Sequence, residues 1–364
     1  MGSDGHDMTA ICLGTRSPDA PAPPPAPRGP LSEFLVNRWR GPARPLNGAP
    51  AVRVDDPIGE DDLQLALYLC YELHYRSFAG VDDGWEWEPS LLAFRRRLER
   101  SFEMALRSSA ADPADDEVDP REAASAVRRL VDGGSGPSLS AWFVEHGTVR
   151  EFAEFAMHRS AYQLKEADPH TWVIPRLTGR AKAACVEIQS DEYGGGREED
   201  MHASLFAAVL DGLGLDSTYG AYVERLPGIT LATVNLISLF GLHRRWRGAL
   251  VGHLAGFEMT SVGPMGRYAA TAERLRLAPS VRRFYDVHVE ADAHHQVVAA
   301  DGLIAGLADA EPALVPEILF GARALMAVEG RLTDHLLDAW TAGRSSLRPS
   351  LPHSRTGLRR SDCG

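Results

Sequence analysis

Cysteine is scarce in this chain, and its few copies follow no pattern. The four cysteines are Cys12, Cys70, Cys185 and Cys363. None of them forms a closely spaced pair, so the sequence predicts neither a disulfide framework nor a cysteine-based zinc site. A reduced compartment, the cytoplasm, is the expected setting.

A long apolar run and an excess of positive charge are also missing. No stretch approaches the roughly 20 apolar residues that a membrane span requires, and the first residues show no basic-then-apolar export signal. The formal net charge is −12 at pH 7, which argues against nucleic acid as a partner. We therefore expect no nucleic-acid partner and no membrane partner.

The alternation of apolar and polar residues that marks a β-strand does not occur over any useful length. Apolar residues recur instead at helical spacing from about residue 61 to residue 340, and this periodicity predicts an all-α fold. The predicted helices that matter below are 149–166, 170–193, 245–261, 265–277 and 280–301.

Composition divides the chain into four parts. Residues 1–50 are rich in Pro, Ala, Gly and Arg, which predicts a disordered tail. An N-terminal helical extension is expected at 51–137 and a helical bundle at 138–343. The last residues, 344–364, are predicted to form a flexible tail.

The helix predicted at 280–301 carries the strongest functional signal. His288, Asp292 and His295 are spaced by four and three residues, so they form one stripe over roughly 60° of the helix surface. Such a stripe is usually a solvated face. Here Val281 and Phe284 on the same side are apolar, which indicates that the stripe faces inward. Buried ionisable groups need ligands or salt-bridge partners.

Four further residues are candidate partners for this stripe. Glu258 is the clearest, because it lies in the otherwise apolar segment 254–259 and an unpaired buried carboxylate is costly. The other three candidates are Glu166, His202 and Glu192, and each has a structural alternative. Glu166 is alternatively a surface residue at a helix end, and His202 a core histidine. Glu192 has two acidic rivals for the same role, Asp191 and Glu187.

Together these residues supply four carboxylates, three imidazoles and no thiolate. An oxygen-rich set on several helices suits two iron or manganese ions better than zinc or copper(I). A buried salt-bridge network with Lys165, Arg176 or Arg180 is the structural alternative.

The chain resembles the haem-oxygenase-like di-iron oxidases, the iron-containing redox enzymes, over roughly residues 55–340. The resemblance is carried by residues 164–170, by residues 187–196 leading to His202, by Glu258, and by the stripe of His288, Asp292 and His295. It implies a haem-oxygenase-like helical bundle that binds two irons (Fe²⁺/Fe³⁺). The residues on the family's ligand positions are Glu166, Glu192, His202, Glu258, His288, Asp292 and His295.

The resemblance also implies an enzyme, an O₂-dependent non-haem di-iron oxidoreductase with O₂ as co-substrate. Its expected partners are a small-molecule substrate (an amine, an amino acid or a fatty acid) and an external electron donor. N-oxygenation, desaturation and C–H oxidation are the expected outcomes, and a homodimer is one option for the assembly. The alternative function is a non-catalytic bundle of the same fold that binds a metal or a small molecule. A haem oxygenase proper is disfavoured, because a carboxylate-filled cavity repels the haem propionates.

Overall fold

The computed structural model describes residues 21–134 and 136–349. Within these residues the secondary structure is helical and no strand occurs, which confirms the predicted all-α fold class. None of the helices in these two ranges is both long and apolar enough to cross a lipid bilayer. The α-helices are α1 (Pro30–Arg38), α2 (Asp61–Glu72), α3 (Pro89–Ala110), α4 (Ala123–Asp132), α5 (Leu139–Glu145), α6 (Val149–Gln163), α7 (Asp168–Thr171), α8 (Gly179–Glu192), α9 (His202–Gly212), α10 (Gly228–Leu242), α11 (Arg247–Arg274), α12 (Pro279–Val297), α13 (Ala305–Ala310) and α14 (Val315–Thr341).

The long helices α11, α12 and α14 form the centre of the bundle, with α11 packed along both of the others. Two glycines let α11 and α14 approach closely. A methyl group added to Gly252 would lie 1.8 Å from the Ile318 carbonyl oxygen, and one on Gly321 would lie 2.0 Å from the Ala249 carbonyl oxygen. Because no side chain fits between these backbones, the crossing fixes the position of α11, which carries Glu258.

The variant Gly252→Ala is expected to destabilise the protein by about 3 kcal/mol, because the added methyl group must push α11 and α14 apart. Urea unfolding of the two proteins measures the difference. Gly330→Ala is the matched control, since Gly330 lies on α14 with nothing within 4 Å of the added methyl group. Equal losses in both variants would contradict the close crossing.

Two predicted helix boundaries are wrong, and proline explains both. The helix predicted at 170–193 is interrupted between α7 and α8, where Pro175 lies in a short 3₁₀ turn. Conversely, the two helices predicted on either side of Pro264 form one continuous helix, α11. A proline inside a helix removes one backbone hydrogen bond, and here the packing of α11 against α12 and α14 outweighs that loss.

The predicted disorder of both tails is wrong where the structure describes them. Leu31, Leu35 and Trp39 are buried on or next to α1, and the Asp62 carboxylate accepts hydrogen bonds from the Leu31 and Ser32 backbone N–H groups. Three apolar residues at helical spacing give even a proline-rich segment a face to bury. Near the other end, Ser346 is buried and its backbone N–H donates to Glu154. Residues 1–20 and 350–364 lie outside the described residues.

Candidate metal centre

The seven predicted ligand residues lie on neighbouring helices, and all are buried, with exposed fractions of 8% or less. The stripe on α12 is therefore not a solvated face. Burial of so many ionisable groups follows from the apolar residues that surround each of them along its helix. In chain order the seven are Glu166 after α6, Glu192 at the end of α8, His202 at the start of α9, Glu258 within α11, and His288, Asp292 and His295 on α12.

Six of the seven residues form two clusters of three. In each cluster, one ligand atom from every residue lies within 4.8 Å of the others. Metal–ligand bonds of about 2.1 Å place donors up to roughly 4.2 Å apart, so small side-chain rotations would let each cluster close on one ion. The first cluster is Glu166, His202 and His288, and the second is Glu192, Glu258 and His295.

Glu192 connects the two clusters. It belongs to the second, yet its Oε2 atom lies 2.8 Å from Nδ1 of His202 in the first. The two clusters therefore lie side by side, as a dinuclear centre requires. Glu192 is also the carboxylate best placed to contact two ions at once.

Asp292 lies beside the two clusters and belongs to neither. Its carboxylate is buried, and Oδ1 lies 3.6 Å from Nδ1 of His295. Asp292 also lines the cavity that the clusters share. Its role as a ligand stays a prediction, as do the ligand roles of the six clustered residues.

Four buried polar atoms at the centre make no well-aligned hydrogen bond in the part of the chain that the structure describes, although two of them, Glu192 Oε2 and His202 Nδ1, lie only 2.8 Å apart. They are Glu192 Oε2, His202 Nδ1, His288 Nε2 and His295 Nδ1. Leaving such atoms unpaired costs about 1–3 kcal/mol each. All four are atoms that bind metals, and the four buried carboxylates carry the negative charge that two divalent ions neutralise. The residues present therefore fit the two irons that the resemblance implies.

The salt-bridge alternative is wrong, because the three basic side chains proposed for it bind elsewhere. Lys165 donates to Glu72 at 2.7 Å. Arg180 pairs with Asp309, and Arg176 donates to the carbonyl oxygens of Gly241 and Leu242. None of these basic side chains reaches the carboxylates of the two clusters.

In His288 and in His295, one ring nitrogen makes a hydrogen bond on the side away from the two clusters. This hydrogen bond determines which nitrogen faces the clusters. His288 Nδ1 lies 2.8 Å from the Phe284 carbonyl oxygen, to which it donates. His295 Nε2 donates to Asp191 Oδ2 at 3.0 Å. In the neutral imidazole the other nitrogen then keeps its lone pair. His288 Nε2 and His295 Nδ1, which face the carboxylates of Glu166 at 3.6 Å and of Glu258 at 3.3 Å, are the nitrogens available to a metal.

Two residues that the sequence did not assign hold predicted ligands in place. Asp191, a rival to Glu192 in the sequence, instead orients His295 from outside the cluster. The Gln163 amide, with its nitrogen toward the carboxylate, donates to both oxygens of Glu166 at 2.6 Å. The three-residue spacing of Gln163 and Glu166 is a local signal that could have revealed this contact.

The crowding of like charges shifts several pKa values. Burial raises the pKa of Glu258 to about 8, and the charges of Asp292 and Glu192 add to this effect. Burial opposes the charged form of Glu192, but His202 and His288 lower its pKa to about 2. Burial likewise opposes protonation of His295, yet contacts with Asp292 and Glu258 raise its pKa to about 11. Without metal, protonated imidazoles balance the carboxylates, and an incoming cation must displace those protons.

A cavity of about 270 Å³ opens onto the centre. Its size suits a small metabolite, being close to the lower end of ligand pockets in general. Seven of the remaining lining residues are aromatic, and they give their part of the wall a largely apolar surface. The predicted ligands in its wall are Glu166, Glu192, Glu258, His288 and Asp292, and the aromatic residues are Phe155, Tyr162, Phe206, Phe257, Tyr268, Phe284 and Tyr285.

Removing the Asp191 carboxylate (Asp191→Ala) is expected to weaken iron binding about 10- to 100-fold, because His295 loses the partner that orients it. Anaerobic ferrous titration measures the change. Glu187→Ala is the matched control, since Glu187 also lies on α8 and contacts an α12 histidine, His294, at 2.8 Å on the surface. Equal affinity in the two variants would show that Asp191 does not support the centre.

The fold and the centre define a class of protein, the helical bundles with a buried carboxylate–histidine centre. Residues 153–330 match the family model of the iron-containing redox enzymes. The match confirms the resemblance over this part of the chain and supports an oxidoreductase. The matched range contains all seven predicted ligand residues.

The chain is also similar to a nitrosourea synthase from Streptomyces achromogenes subsp. streptozoticus. The two are 27% identical over 160 residues, which cover 43% of this chain and 34% of that protein. The chain thus matches about a third of the length of this curated relative.

Proposed function

We propose that the protein is an O₂-dependent non-haem di-iron oxidoreductase that oxidises a small metabolite. The observation that carries the proposal is the pair of buried three-residue clusters, joined by the 2.8 Å contact between Glu192 and His202. When bound, two ferrous ions would supply the electrons that activate O₂. The family match, which is to iron-containing redox enzymes, supports this chemistry.

The side chains of this protein would hold the metals and control access to them. The outer hydrogen bonds of His288 and His295 fix the two imidazoles before any metal arrives. Preformed ligands of this kind lose little freedom on binding, which favours affinity. Aromatic side chains in the cavity wall, including Tyr162 and Phe257, would restrict the access of water to the centre and so limit side reactions of a bound oxidant.

The substrate is an amine, an amino acid or a fatty acid, and the outcome is N-oxygenation, desaturation or C–H oxidation. The name of the relative, a nitrosourea synthase, favours reaction at a nitrogen atom. Each turnover that reduces O₂ fully needs two electrons beyond those of the substrate, so an external electron donor is part of the proposal.

Anaerobic titration with ferrous iron, followed by exposure to O₂, tests the function. We expect binding of two irons per chain and then O₂ consumption with a transient visible absorption. A double variant, His288→Ala/His295→Ala, should show neither. Iron binding at or below one per chain, or two bound irons that consume no O₂, would instead favour a non-catalytic metal-binding bundle.

A further inference from the structure

A partly buried ion pair that the metal centre does not use lines the same cavity. Arg159 on α6 donates to Glu329 on α14 through both terminal nitrogens, with Nη1–Oε1 at 2.9 Å and Nη2–Oε2 at 2.7 Å. The two side chains are 18% and 19% exposed. Both belong to the cavity wall that also contains Glu166 and His288, so the cavity has an ion pair in addition to its metal-binding residues.

The ion pair and the centre lie at different ends of one segment of the chain. Arg159 lies on α6 and Glu166 lies three residues beyond its last residue, Gln163, so a rise of 1.5 Å per residue separates them by roughly 10 Å along the chain. Tyr162 lies between them and stacks on Phe257, with ring centroids 5.4 Å apart. A molecule bound along this segment would have one end at Arg159 and Glu329 and the other at the centre.

The cavity wall contains two further polar atoms that are free to form hydrogen bonds with a ligand. Tyr285 Oη and Gln189 Oε1 are buried and have no hydrogen-bond partner among residues 21–134 and 136–349. The first can donate a hydrogen bond, whereas the second can only accept one. Unpaired buried polar atoms are rare in native proteins. A ligand with its own donor and acceptor would satisfy both.

Arg159 and Glu329 carry opposite charges, so the pair has no net charge, and this restricts the charge of a ligand that binds there. A carboxylate alone would compete with Glu329 for Arg159, and an ammonium alone would compete with Arg159 for Glu329. Either ligand leaves one mostly buried charge without its partner, which is unfavourable. A ligand that carries both charges close together gives each side chain a new partner and keeps the local charge balanced.

We propose that the cavity binds a zwitterionic α-amino acid, with its carboxylate on Arg159, its ammonium group on Glu329 and its side chain directed toward the metal centre. This inference rests on the proposed function, because it names the substrate class of the same site. Arg159 and Glu329 are then the residues that determine specificity, and fatty acids and simple amines are the classes that they disfavour.

Three probes with the same straight carbon chain test the proposal: L-norleucine, pentylamine and hexanoate. Each is titrated by calorimetry into the ferrous protein under anaerobic conditions, so that binding is measured without turnover. We expect L-norleucine to bind on the order of 100-fold more tightly than either singly charged probe. Equal or tighter binding of pentylamine or hexanoate, or no binding of L-norleucine, would overturn the proposal.

The double variant Arg159→Gln/Glu329→Gln keeps a hydrogen-bonded pair but removes both charges. It should lose the preference for L-norleucine and keep the iron content of the wild type. The control variant, Arg331→Gln/Asp56→Asn, removes a second ion pair of α14 that lies outside the cavity wall, and its preference should be unchanged. If the preference persists without the charges of Arg159 and Glu329, these residues do not determine it.

Failure of this proposal and failure of the proposed function give different results. Two bound irons and O₂ consumption without a preference for L-norleucine would refute only the substrate class. A preference for L-norleucine in a protein that binds no iron would refute the di-iron function and leave the amino-acid site standing.

Discussion

Alanine at His288 or at His295 is expected to lower the iron content from two ions per chain to one or none. The two histidines serve different clusters, and each presents to its cluster a buried nitrogen that makes no well-aligned hydrogen bond. A cluster that loses one of its three donors loses most of its affinity for iron. Even the removal of a residue that only orients a ligand weakens metal binding about 10- to 100-fold. Anaerobic loading followed by a colorimetric iron assay measures the stoichiometry.

His294→Ala is the matched control for these variants. His294 is the neighbour of His295 on α12, but its side chain is 62% exposed and contacts Glu187 on the surface. Its replacement should leave two irons bound. If His288→Ala and His295→Ala also kept two irons, both histidines would leave the ligand set and the dinuclear centre would have to be abandoned.

The sequence could predict the parts of the centre that depend on local periodicity. The spacing of His288, Asp292 and His295 places them on one stripe of a helix whatever the rest of the chain does. Glu258 is identifiable because its neighbours in sequence are almost all apolar. For both, helical geometry and the cost of burying charge are sufficient, and the structure buries all four side chains.

Local periodicity could not predict the contacts that residues make across loops and between distant helices. Glu192 meets His202 because the chain turns back at Gly194, where φ is 64° and an added methyl group would lie 2.6 Å from the backbone of Asp200 and Met201. Glycine shows that a turn is available, but not where it leads. Asp191 and Glu192 are adjacent and chemically similar. Only the position of α12 makes Glu192 a member of the second cluster and Asp191 the residue that orients His295 from outside it.

The ion pair in the cavity illustrates the same limit. Arg159 and Glu329 are 170 positions apart in the chain, and no local pattern in the sequence connects them. The crossing of α11 and α14, set by Gly252 and Gly321, helps to bring the middle of α14 to the cavity. Fold class follows from composition and periodicity, whereas specificity depends on how the helices are assembled.

Replacing Glu258 with glutamine is expected to stabilise the metal-free protein by about 3 kcal/mol at pH 7. The pKa of Glu258 rises from 4.5 to about 8 on folding, first because of burial and then because of Asp292 and Glu192. Its stabilising contribution is therefore complete below pH 4.5 and is lost as the pH rises toward 8. Glutamine is neutral throughout, so its advantage over the wild type should be near zero at pH 4.5 and grow with pH.

Ferrous iron should reverse this order of stability. With a cation at the second cluster, the charged form of Glu258 is a ligand and is no longer unfavourable. Binding to the folded state alone adds about 4.1 kcal/mol when free iron is 1,000-fold above its dissociation constant, which exceeds the advantage of about 3 kcal/mol that glutamine has in the metal-free protein. Urea unfolding with and without iron, at several pH values, measures both effects. Glu290→Gln on the exposed side of α12 is the control and should change neither. If Glu258→Gln destabilised the metal-free protein at pH 7, or gained as much stability from iron as the wild type, Glu258 would not be a carboxylate held in place for a metal.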